Sequence, residues 1–252
     1  MIDINNGIIK TVRALAVKKN RDDERLWVAE GTKCVRDTWG RFPCRWIIAT
    51  RAWHDQFGTA EHYDHLVIAG KSQMARMSQF TTPSDVIAVY EKPAIGIDRS
   101  RVESSLSIVL DNIQDPGNLG TIVRLADWYG IRDIFASPTT VDVFNHKVVQ
   151  ATMGAIARVQ VHSVDLEELF DDFPDLPVCG TFLDGDNIYS ATLPERGFVV
   201  FGNEGQGIGA KVGARATQRL LIPKASDAGS DSLNVGLAAA ITISEFKRKL
   251  FI

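Results

Sequence analysis

Cysteine is scarce in this sequence of 252 residues, which contains only Cys34, Cys44 and Cys179. An odd number of cysteines without a C-x-x-C pair argues against a disulfide framework and against a zinc site. The histidines His146 and His162 have no partner at a metal-ligand spacing, so we expect no metal centre. Together these features indicate thiols that remain reduced.

Long apolar runs are also missing. No stretch approaches the roughly 20 apolar residues that a membrane-spanning helix needs. Residues Met1–Asn5 lack the basic and then apolar profile of a signal peptide. We therefore expect a cytoplasmic protein with no membrane partner.

Two phosphate-binding patterns do not occur. The sequence has no G-x-x-x-x-G-K-[S/T], and Gly205–Gly209 reads G-x-G-x-G instead of the dinucleotide pattern G-x-G-x-x-G. No acidic residue closes a strand about 20 positions further on, as a nicotinamide enzyme requires for the ribose. These absences argue against a nucleotide triphosphatase of that class and against a nicotinamide enzyme.

The sequence does have an ordinary globular composition, with 45% hydrophobic and 23% charged residues. This composition excludes a disordered, collagen-like or coiled-coil chain. The formal net charge is −3, but the first 51 residues carry 11 basic and 6 acidic side chains, whereas residues 106–252 carry 12 and 18. The asymmetry hints at a polyanionic partner for the N-terminal part, although many solvated faces have a similar balance.

Short apolar segments alternate with helix-like stretches, which predicts an α/β protein with a mostly parallel sheet in its second part. The expected strands are Arg45–Ala49, Leu66–Ala69, Val86–Tyr90, Ser107–Leu110, Asp133–Ala136, Val159–Val161, Val178–Phe182, Phe198–Phe201 and Leu220–Ile222. The N-terminal helices are expected at Gly31–Trp39, Ala52–Tyr63 and Lys71–Gln79. An aperiodic stretch with Pro93 and Gly96 predicts a linker at 91–105, between domains at 1–90 and 106–252.

Three loops follow predicted strands of the second part, where ligands of open parallel sheets bind. In the first loop, Pro116–Gly117 turns the chain and Asn118 is a candidate N-cap of the next helix. The apolar stripe of that helix consists of Leu119, Ile122, Val123 and Ala126. Arg124 lies off the stripe, so it either reaches toward the loop or is an ordinary solvated arginine. Asn112 and Gln114 are either functional or simple turn formers.

The second and third loops are rich in small and polar residues. Gly202–Gly209 contains four glycines among eight residues, which permits close approach of a ligand to the backbone; a flexible turn with Glu204 as a helix cap is the alternative. The third loop follows Ile222–Pro223 and leads into a small, apolar segment, for which Ser232 or Asn234 is a candidate N-cap.

Together and in order, the three loops resemble the motifs of the SpoU family of RNA ribose methyltransferases, within the SPOUT superfamily. The first motif is matched by Asn112, Pro116, Asn118, Gly120 and Arg124. The second is matched by Gly202, Glu204, Gly205 and Gly207, and the third by Ile222, Pro223, Ser232, Leu233, Asn234 and Val235. The sequence departs from the family in a longer loop between Pro223 and Ser232 and in Gly236, where Ser or Ala is usual.

The N-terminal third is similar, more loosely, to the substrate-binding domain of this family. The resemblance rests on Lys18–Arg21 and on Trp27–Val35. It implies a small α/β domain similar to a ribosomal RNA-binding fold, and structured RNA as the substrate. The implied second domain is an α/β methyltransferase domain with a deep trefoil knot. The resemblance also implies a homodimer that forms through this knotted domain, with the helix from Val235 to Ile252 at the interface.

The family uses S-adenosylmethionine, which implies a set of cofactor-binding residues here. Backbone groups of Gly202, Ile222 and Leu233 are expected to hold the adenine and methionine parts, and Asn203 and Gly207 to complete the cofactor loop. Thr181 is expected to contact the ribose or the adenine.

The implied reaction moves a methyl group to a ribose 2′-hydroxyl, which is a weak nucleophile at neutral pH. Arg124 is the implied catalytic residue; because a guanidinium is a poor base, we expect it to fix a phosphate and to stabilise alkoxide charge. Glu204 either accepts the proton or orients Arg124 or Asn112. Ser232 and Asn234 are expected to complete the hydrogen-bond network.

Several alternatives remain open at this stage. A separate substrate-binding domain favours ribosomal over transfer RNA. A protein that binds or assembles RNA without catalysis fits the same fold, because fold alone does not prove function. Methylation of a base nitrogen is the third alternative, and the amide and arginine set favours ribose over it.

Overall fold

The computed structural model describes residues 2–58, 65–94, 96–225, 229 and 231–248. Within these residues the strands are β1 Ile2–Asp3, β2 Leu26–Glu30, β3 Cys44–Ala49, β4 Leu66–Ile68, β5 Val86–Glu91, β6 Leu106–Leu110, β7 Asp133–Ala136, β8 Gln160–Ser163, β9 Val178–Asn187, β10 Gly197–Phe201 and β11 Gln218–Leu221. The α-helices are α1 Asn6–Ala14, α2 Lys18–Glu24, α3 Thr32–Thr38, α4 Arg51–Phe57, α5 Lys71–Met77, α6 Arg99–Ser104, α7 Pro116–Trp128, α8 His146–Thr152, α9 Leu166–Asp172, α10 Ala210–Gly213 and α11 Val235–Lys247.

The chain forms two compact units, of which the first comprises Met1–Ala94 and Asp142–Ala157, and the second Ile95–Val141 and Arg158–Ile252. The expected second half of the helix Ala52–Tyr63, from residue 59 on, lies outside the described residues, as does the expected end of the last helix at 249–252. The stretch 91–105, expected to be a linker, contains α6, whose N-terminus is capped by Asp98.

The first unit has a mixed five-stranded sheet in the order β1-β4-β3-β5-β2. β5 runs antiparallel to both β2 and β3, whereas β3 and β1 run parallel to β4. Strand β2, which is not among the expected strands, is buried along its whole length. Its burial explains why the strand forms despite the absence of polar alternation.

Helices α1 and α5 cover one face of this sheet. Ile8, Ile9 and Val12 of α1 belong to the same apolar core as Met74 and Met77 of α5. These positions recur at one-turn spacing in each helix, so the opposite faces carry the polar residues.

A segment from the second half of the sequence, Asp142–Ala157, belongs to the first unit. Its anchor is an ion pair in which Nη2 of Arg21 lies 2.7 Å from Oδ2 of Asp142, with the two side chains only 3% and 9% exposed. The guanidinium also donates to the backbone carbonyls of Leu15 and Ala16. Phe144 packs against Trp27, with 5.1 Å between the ring centroids. The buried charge is thus fully paired, as burial requires.

The second unit has a six-stranded, entirely parallel sheet in the order β11-β9-β10-β6-β7-β8. The two strands at its centre, β10 and β6, are buried throughout, as expected for a parallel sheet covered on both faces. Strand β9 continues to Asn187, five residues beyond the expected end at Phe182. Its pairing with β11 is interrupted between Gly180 and Asp186, and Thr181 lies at the start of this interruption.

Asp133, the first residue of β7, is bonded to Arg101 and His162 at the end of the sheet where the strands begin. The fully buried Asp133 carboxylate accepts hydrogen bonds from Nε of Arg101 at 2.6 Å and lies 2.9 Å from Nε2 of His162. Burial by itself raises the pKa of the Asp133 carboxyl, but the bonds from Arg101 and His162 outweigh it and hold the pKa at about 2. His162 is therefore a structural histidine in this fold.

The three cysteines are unpaired thiols. Burial raises the pKa of Cys34 and Cys44 to about 12 and that of Cys179 to about 11, so the thiolate is disfavoured at all three positions. In the part of the chain that the structure describes, every helix is too short or too polar to cross a membrane.

Candidate functional site

Two of the three loops leave the sheet side by side. Leu110 at the end of β6 is paired with Phe201 at the end of β10, and the Asp111 amide donates to the Phe201 carbonyl at 2.9 Å. The loops 111–115 and 202–209 therefore start at the same edge of the sheet, where ligands of parallel sheets bind. The third loop follows β11, two strands away from β10.

The first loop makes a left-handed turn at Asn112, whose φ is 59°. Its backbone amide donates to Oγ of Ser137 at 2.9 Å, and its side-chain oxygen accepts from Nε2 of Gln114 at 3.2 Å. Asparagine tolerates this conformation better than most residues. Asn112 thus shapes the loop, and its side chain contacts Gln114.

Helix α7 begins at Pro116, and Asp115 is its N-cap. The carboxylate of Asp115 accepts a hydrogen bond from the Asn118 amide at 2.8 Å. The expectation that Asn118 caps this helix is therefore wrong, because Pro116 occupies the first helical position and fixes the start of the helix one residue after Asp115. Asn118 lies in the first turn of α7, and its side chain is available for other contacts.

The Asn118 side chain connects the second and third loops. Its Nδ2 donates to Oε1 of Glu204 at 2.6 Å, and its Oδ1 accepts from Nδ2 of Asn234 at 3.0 Å. Glu204 and Asn234 are exposed, and Asn118 is partly buried. The three sequence motifs therefore meet in a row of side chains, Glu204–Asn118–Asn234.

The orientation of both amides follows from the backbone. Oδ1 of Asn234, the N-cap of α11, accepts from the amides of Gly236 and Leu237 at 2.9 and 3.3 Å. Only the oxygen can accept from a backbone amide, so Nδ2 of Asn234 must face Asn118. Asn118 must then present its oxygen to Asn234 and its Nδ2 to the carboxylate of Glu204.

The second loop closes on itself around Asn203. Its backbone amide and carbonyl pair with the carbonyl and amide of Gly207 at 3.0 and 2.8 Å, and its Oδ1 accepts from the amides of Gly205 and Gln206. Its Nδ2 donates to the Asn112 carbonyl at 3.0 Å, which ties the second loop to the first. These contacts give Asn203 a positioning role.

Two glycines of this loop are required by its geometry. A Cβ added to Gly202 would lie 2.2–2.3 Å from backbone atoms of Gly207 and Ile208, so a side chain does not fit there. Gly207 has a φ of +71°, in the left-handed region that glycine adopts most easily. By contrast, a Cβ at Gly205 would find its nearest neighbour, Oδ1 of Asn203, at 3.6 Å.

Arg124 lies in the middle of α7 and is exposed. Among the described residues its guanidinium makes no hydrogen bond or ion pair. Gly117, Thr121 and Arg124 are spaced at i, i+4 and i+7, so they share one face of the helix. Glu204, which we considered as a partner of Arg124 or Asn112, pairs instead with Asn118. Arg124 is thus a charged group available to a ligand.

The remaining predicted residues have few contacts of their own. The Thr181 hydroxyl donates to the Val200 carbonyl at 3.0 Å. Ile222 is half-buried and Leu233 is 46% exposed, and neither makes a hydrogen bond within the described residues. Ser232 is exposed, and residues 226–228 and 230 of the preceding loop lie outside the described residues.

The structure brings Glu204 and Asn234 together through Asn118, to which we had assigned no role beyond the helix cap. The side chains of Asn112, Arg124 and Ser232 do not enter this row. A signal for Asn118 was present, because Asp115 before Pro116 is a complete cap by itself and leaves the next asparagine without a structural task.

Comparisons with known proteins agree with the resemblance of the motifs. Residues 105–244 match the SpoU rRNA methylase family, and residues 6–88 match an MRM3-like substrate-binding domain. A 23S rRNA guanosine 2′-O-methyltransferase of Bacillus subtilis is 30% identical over 170 residues, 66% of this chain and 66% of that protein. A tRNA/rRNA methyltransferase of Synechocystis, itself uncharacterised, is 26% identical and covers 97% of this chain and 92% of its own length.

Solved structures have the same fold. A Porphyromonas gingivalis protein assigned to the TrmH family of RNA methyltransferases is 39% identical, with a TM-score of 0.88 and coverage of 98% of this chain and 99% of that chain. An S-adenosylmethionine-bound rRNA methyltransferase of Sinorhizobium meliloti is 26% identical, with a TM-score of 0.87 and coverage of 99% and 98%. The expected α/β fold, with a parallel sheet and an N-terminal substrate-binding domain, is confirmed. This chain belongs to the SpoU rRNA methylase family.

Proposed function

We propose that this protein transfers a methyl group from S-adenosylmethionine to a ribose 2′-hydroxyl of structured RNA. The observation that carries the proposal is the row Glu204–Asn118–Asn234, which unites the three family motifs; its central residue, Asn118, lies on the same helix as Arg124, which has no partner among the described residues. In this proposal residues 1–90 bind RNA and residues 106–252 form the methyltransferase domain. The loop 202–209 and the described residues 222–225 and 231–234 belong to the deep trefoil knot that the family implies.

The residues present fit S-adenosylmethionine. Gly202 allows the loop to close tightly on itself, because the backbone of Gly207 and Ile208 occupies the space that a Cβ would take. Ile222 and Leu233 offer apolar surface and backbone groups that are free of hydrogen bonds within the described residues. Thr181 lies at the point where β9 leaves its neighbours, and Asn203 and Gly207 hold the loop shape. When bound, the cofactor supplies a methyl group on a positively charged sulfur with a neutral leaving group.

The protein must then supply orientation and a proton acceptor. Arg124, which has no partner among the described residues, binds an RNA phosphate beside the target ribose and stabilises the charge that develops on the 2′-oxygen. The new O–C bond forms as the S–C bond breaks, and the hydroxyl proton goes to the carboxylate of Glu204. Among the described residues, Glu204 is the only carboxylate of the three motifs that contacts another motif side chain.

Asn118 and Asn234 orient this carboxylate. Because Asn234 is fixed by two backbone amides, Asn118 can turn only its Nδ2 toward Glu204, so one carboxylate oxygen is held and the other can face the substrate. Ser232 precedes this row in the third motif and donates to the substrate. Asn112 holds the first two loops together through its carbonyl.

Ribosomal RNA is the favoured substrate. The B. subtilis relative is named as a 23S rRNA methyltransferase and the S. meliloti structure as an rRNA methyltransferase. Neither name mentions transfer RNA. A substrate-binding unit with excess positive charge in its first 51 residues fits a large, structured RNA. The nearest alternatives are an RNA-binding protein without catalysis and methylation of a base nitrogen.

A homodimer through the methyltransferase domain is part of the proposal. Leu237, in the first turn of α11, is 59% exposed, and Trp128, at the end of α7, is 80% exposed. Large apolar side chains with such exposure favour an interface with a second copy. If Leu237→Glu sedimented as the same species as the unchanged protein, this interface would be excluded. A reduced, cytoplasmic location fits the three unpaired thiols.

The test is methyl transfer from labelled S-adenosylmethionine to unmodified ribosomal RNA and, in parallel, to unmodified transfer RNA. Each RNA is digested to nucleosides after the reaction. Label in a 2′-O-methylnucleoside supports the proposed reaction, and the RNA that carries it identifies the substrate class. Label on a base supports the alternative acceptor, and cofactor binding without any transfer supports the non-catalytic protein.

A further inference from the structure

The first unit contains an open cleft of about 460 Å³ between α1 and α5. Its lining consists of Asn6, Ile9, Lys10, Arg13, Ala14 and Arg76. Ile9 is buried and forms the apolar floor, whereas Lys10, Arg13 and Arg76 are exposed. The cleft therefore combines an apolar base with three positive charges.

These three charges are unpaired in the part of the chain that the structure describes. Within the described residues, the side chains of Lys10, Arg13 and Arg76 make no hydrogen bond and no ion pair, and no carboxylate lines the cleft. Some described cations of this unit, such as Lys33, are paired with a carboxylate, and others, such as Arg41, are exposed and unpaired among the described residues, but the three of the cleft line one cavity. Unpaired cations that converge from two helices repel one another, so their positions favour an anionic ligand.

A purely structural role explains only part of the cluster. Arg13 and Arg76 each lie in the last turn of their helix, where a cation interacts favourably with the helix dipole. Lys10 lies in the middle of α1, one turn from Asn6 and from Arg13, and gains nothing from the dipole. The alignment of Asn6, Lys10 and Arg13 along the side of α1 that faces Arg76 needs another reason.

We propose that this cleft binds the phosphodiester backbone of the substrate RNA, with Lys10 and Arg13 on one side and Arg76 on the other. The inference rests on the proposed function and adds a contact site in the first unit. An open cleft suits an extended chain of phosphates, because successive charges can bind along α1. Phosphate contacts of this kind position an RNA without reading its sequence, and the Asn6 amide can donate to a phosphate or ribose oxygen.

The test measures binding of the full-length protein to protein-free bulk ribosomal RNA, and to bulk transfer RNA in parallel, over a series of salt concentrations. The variants are Lys10→Ala with Arg13→Ala, Arg76→Ala, and all three together. The matched control replaces Arg41, Arg45 and Arg51, three exposed arginines of the same unit outside the cleft, with alanine. Binding of S-adenosylmethionine, measured by calorimetry, reports on the second unit.

The logarithm of the association constant for RNA falls as the logarithm of the salt concentration rises. We expect this slope to be shallower by about 2 to 3 in the triple variant, because each lost phosphate contact removes about 0.7 to 1. Arg76→Ala alone should lower it by about 1. The control should keep the slope, and all variants should keep cofactor binding. A separate variant with Arg13→Lys and Arg76→Lys should keep most of the salt dependence of the unchanged protein, because it keeps both positive charges.

Equal slopes for the triple variant and the unchanged protein would overturn the cleft as an RNA site while leaving the proposed reaction intact. Equal losses in the triple variant and the control would show a diffuse charge effect and would also overturn it. If the unchanged protein neither bound RNA nor methylated it, the proposed function and the inference would both fail.

Discussion

Oδ1 of Asn118 accepts a hydrogen bond from Nδ2 of Asn234 at 3.0 Å, although the two residues are 116 positions apart in the sequence. The other end of the Asn118 amide donates to Glu204. A single amide thus determines how the carboxylate of the second motif is presented. This relationship makes the helix α7 the organising element of the site.

The first prediction concerns Asn118. Asn118→Ala removes the donor to Glu204 and the acceptor for Asn234, so we expect kcat for methyl transfer to fall about 100-fold, the size of effect seen when one positioned polar group is lost. Asn118→Asp keeps an acceptor for Asn234 but places a second carboxylate against Glu204, so it should be at least as damaging. Single-turnover kinetics measure the chemical step.

The control for this pair is Gln206→Ala, because this exposed residue contributes only its backbone amide to the same loop. It should retain nearly full activity. If Asn118→Ala transferred methyl groups at the rate of this control, the row of side chains would have no role in the reaction.

The second prediction compares two glycines of one loop. Gly202→Ala forces a Cβ to within 2.2–2.3 Å of the Gly207 and Ile208 backbone, so the loop must open and cofactor binding should weaken at least 10-fold. Gly205→Ala places its Cβ 3.6 Å from the nearest atom and should bind S-adenosylmethionine almost normally. Calorimetry with S-adenosylmethionine measures both. Similar affinities for the two variants would show that the cofactor does not depend on this loop.

The third prediction concerns the pH dependence of stability. Asp133 has a pKa of about 2 in the folded protein, lower than the model-peptide value of 3.8, so its ionised form stabilises the fold. This shift corresponds to about 2 kcal/mol, which is fully present above about pH 5 and is lost as the pH falls toward 2. The free energy of unfolding of the unchanged protein should therefore drop over this range.

Asp133→Asn lacks this ionisation and leaves Arg101 without its carboxylate, so it should be about 3 kcal/mol less stable at pH 7. The difference between the two proteins should shrink below pH 4. Urea unfolding at several pH values tests this, and a difference that stayed constant from pH 7 to pH 2.5 would contradict the assignment.

The fourth prediction concerns the segment Asp142–Ala157. Asp142→Ala leaves the buried guanidinium of Arg21 without its carboxylate, which should lower the free energy of unfolding by about 3 kcal/mol or more. Asp37→Ala removes the half-buried partner of the exposed Lys33 and should cost less than about 1 kcal/mol. Urea unfolding compares them, and equal costs would show that the buried pair does not anchor the segment.

The sequence was informative where local and periodic features decide the structure. Every predicted strand is present, because continuous apolar runs such as Phe198–Phe201 become buried in the sheet. Helix α2, with the polar sequence Lys18–Glu24, has no apolar stripe and could not be predicted from periodicity. The second half of the chain contributes Asp142–Ala157 to the first unit, and only the tertiary partners Arg21 and Trp27 reveal this.

In the candidate site too, the sequence predicts the local features, whereas the contacts between distant residues depend on tertiary packing. The motifs identified the loops, and parallel strand order explains why two of them meet at one edge of the sheet. The partner of Glu204 could not be deduced, because Asn118 and Asn234 are brought together by packing of α11 against α7. Gly236 illustrates this packing, since a Cβ there would lie 3.4 Å from both Asn118 and Thr121.

The most direct test of the account follows the methyl group from labelled S-adenosylmethionine into unmodified RNA with three proteins: the unchanged protein, Arg124→Ala, and Arg132→Ala, an exposed arginine outside the site. The account predicts label in a 2′-O-methylnucleoside for the unchanged protein and Arg132→Ala, and a loss of at least 100-fold for Arg124→Ala with cofactor binding retained. Undiminished 2′-O-methylation by Arg124→Ala, or label on a base, would contradict it.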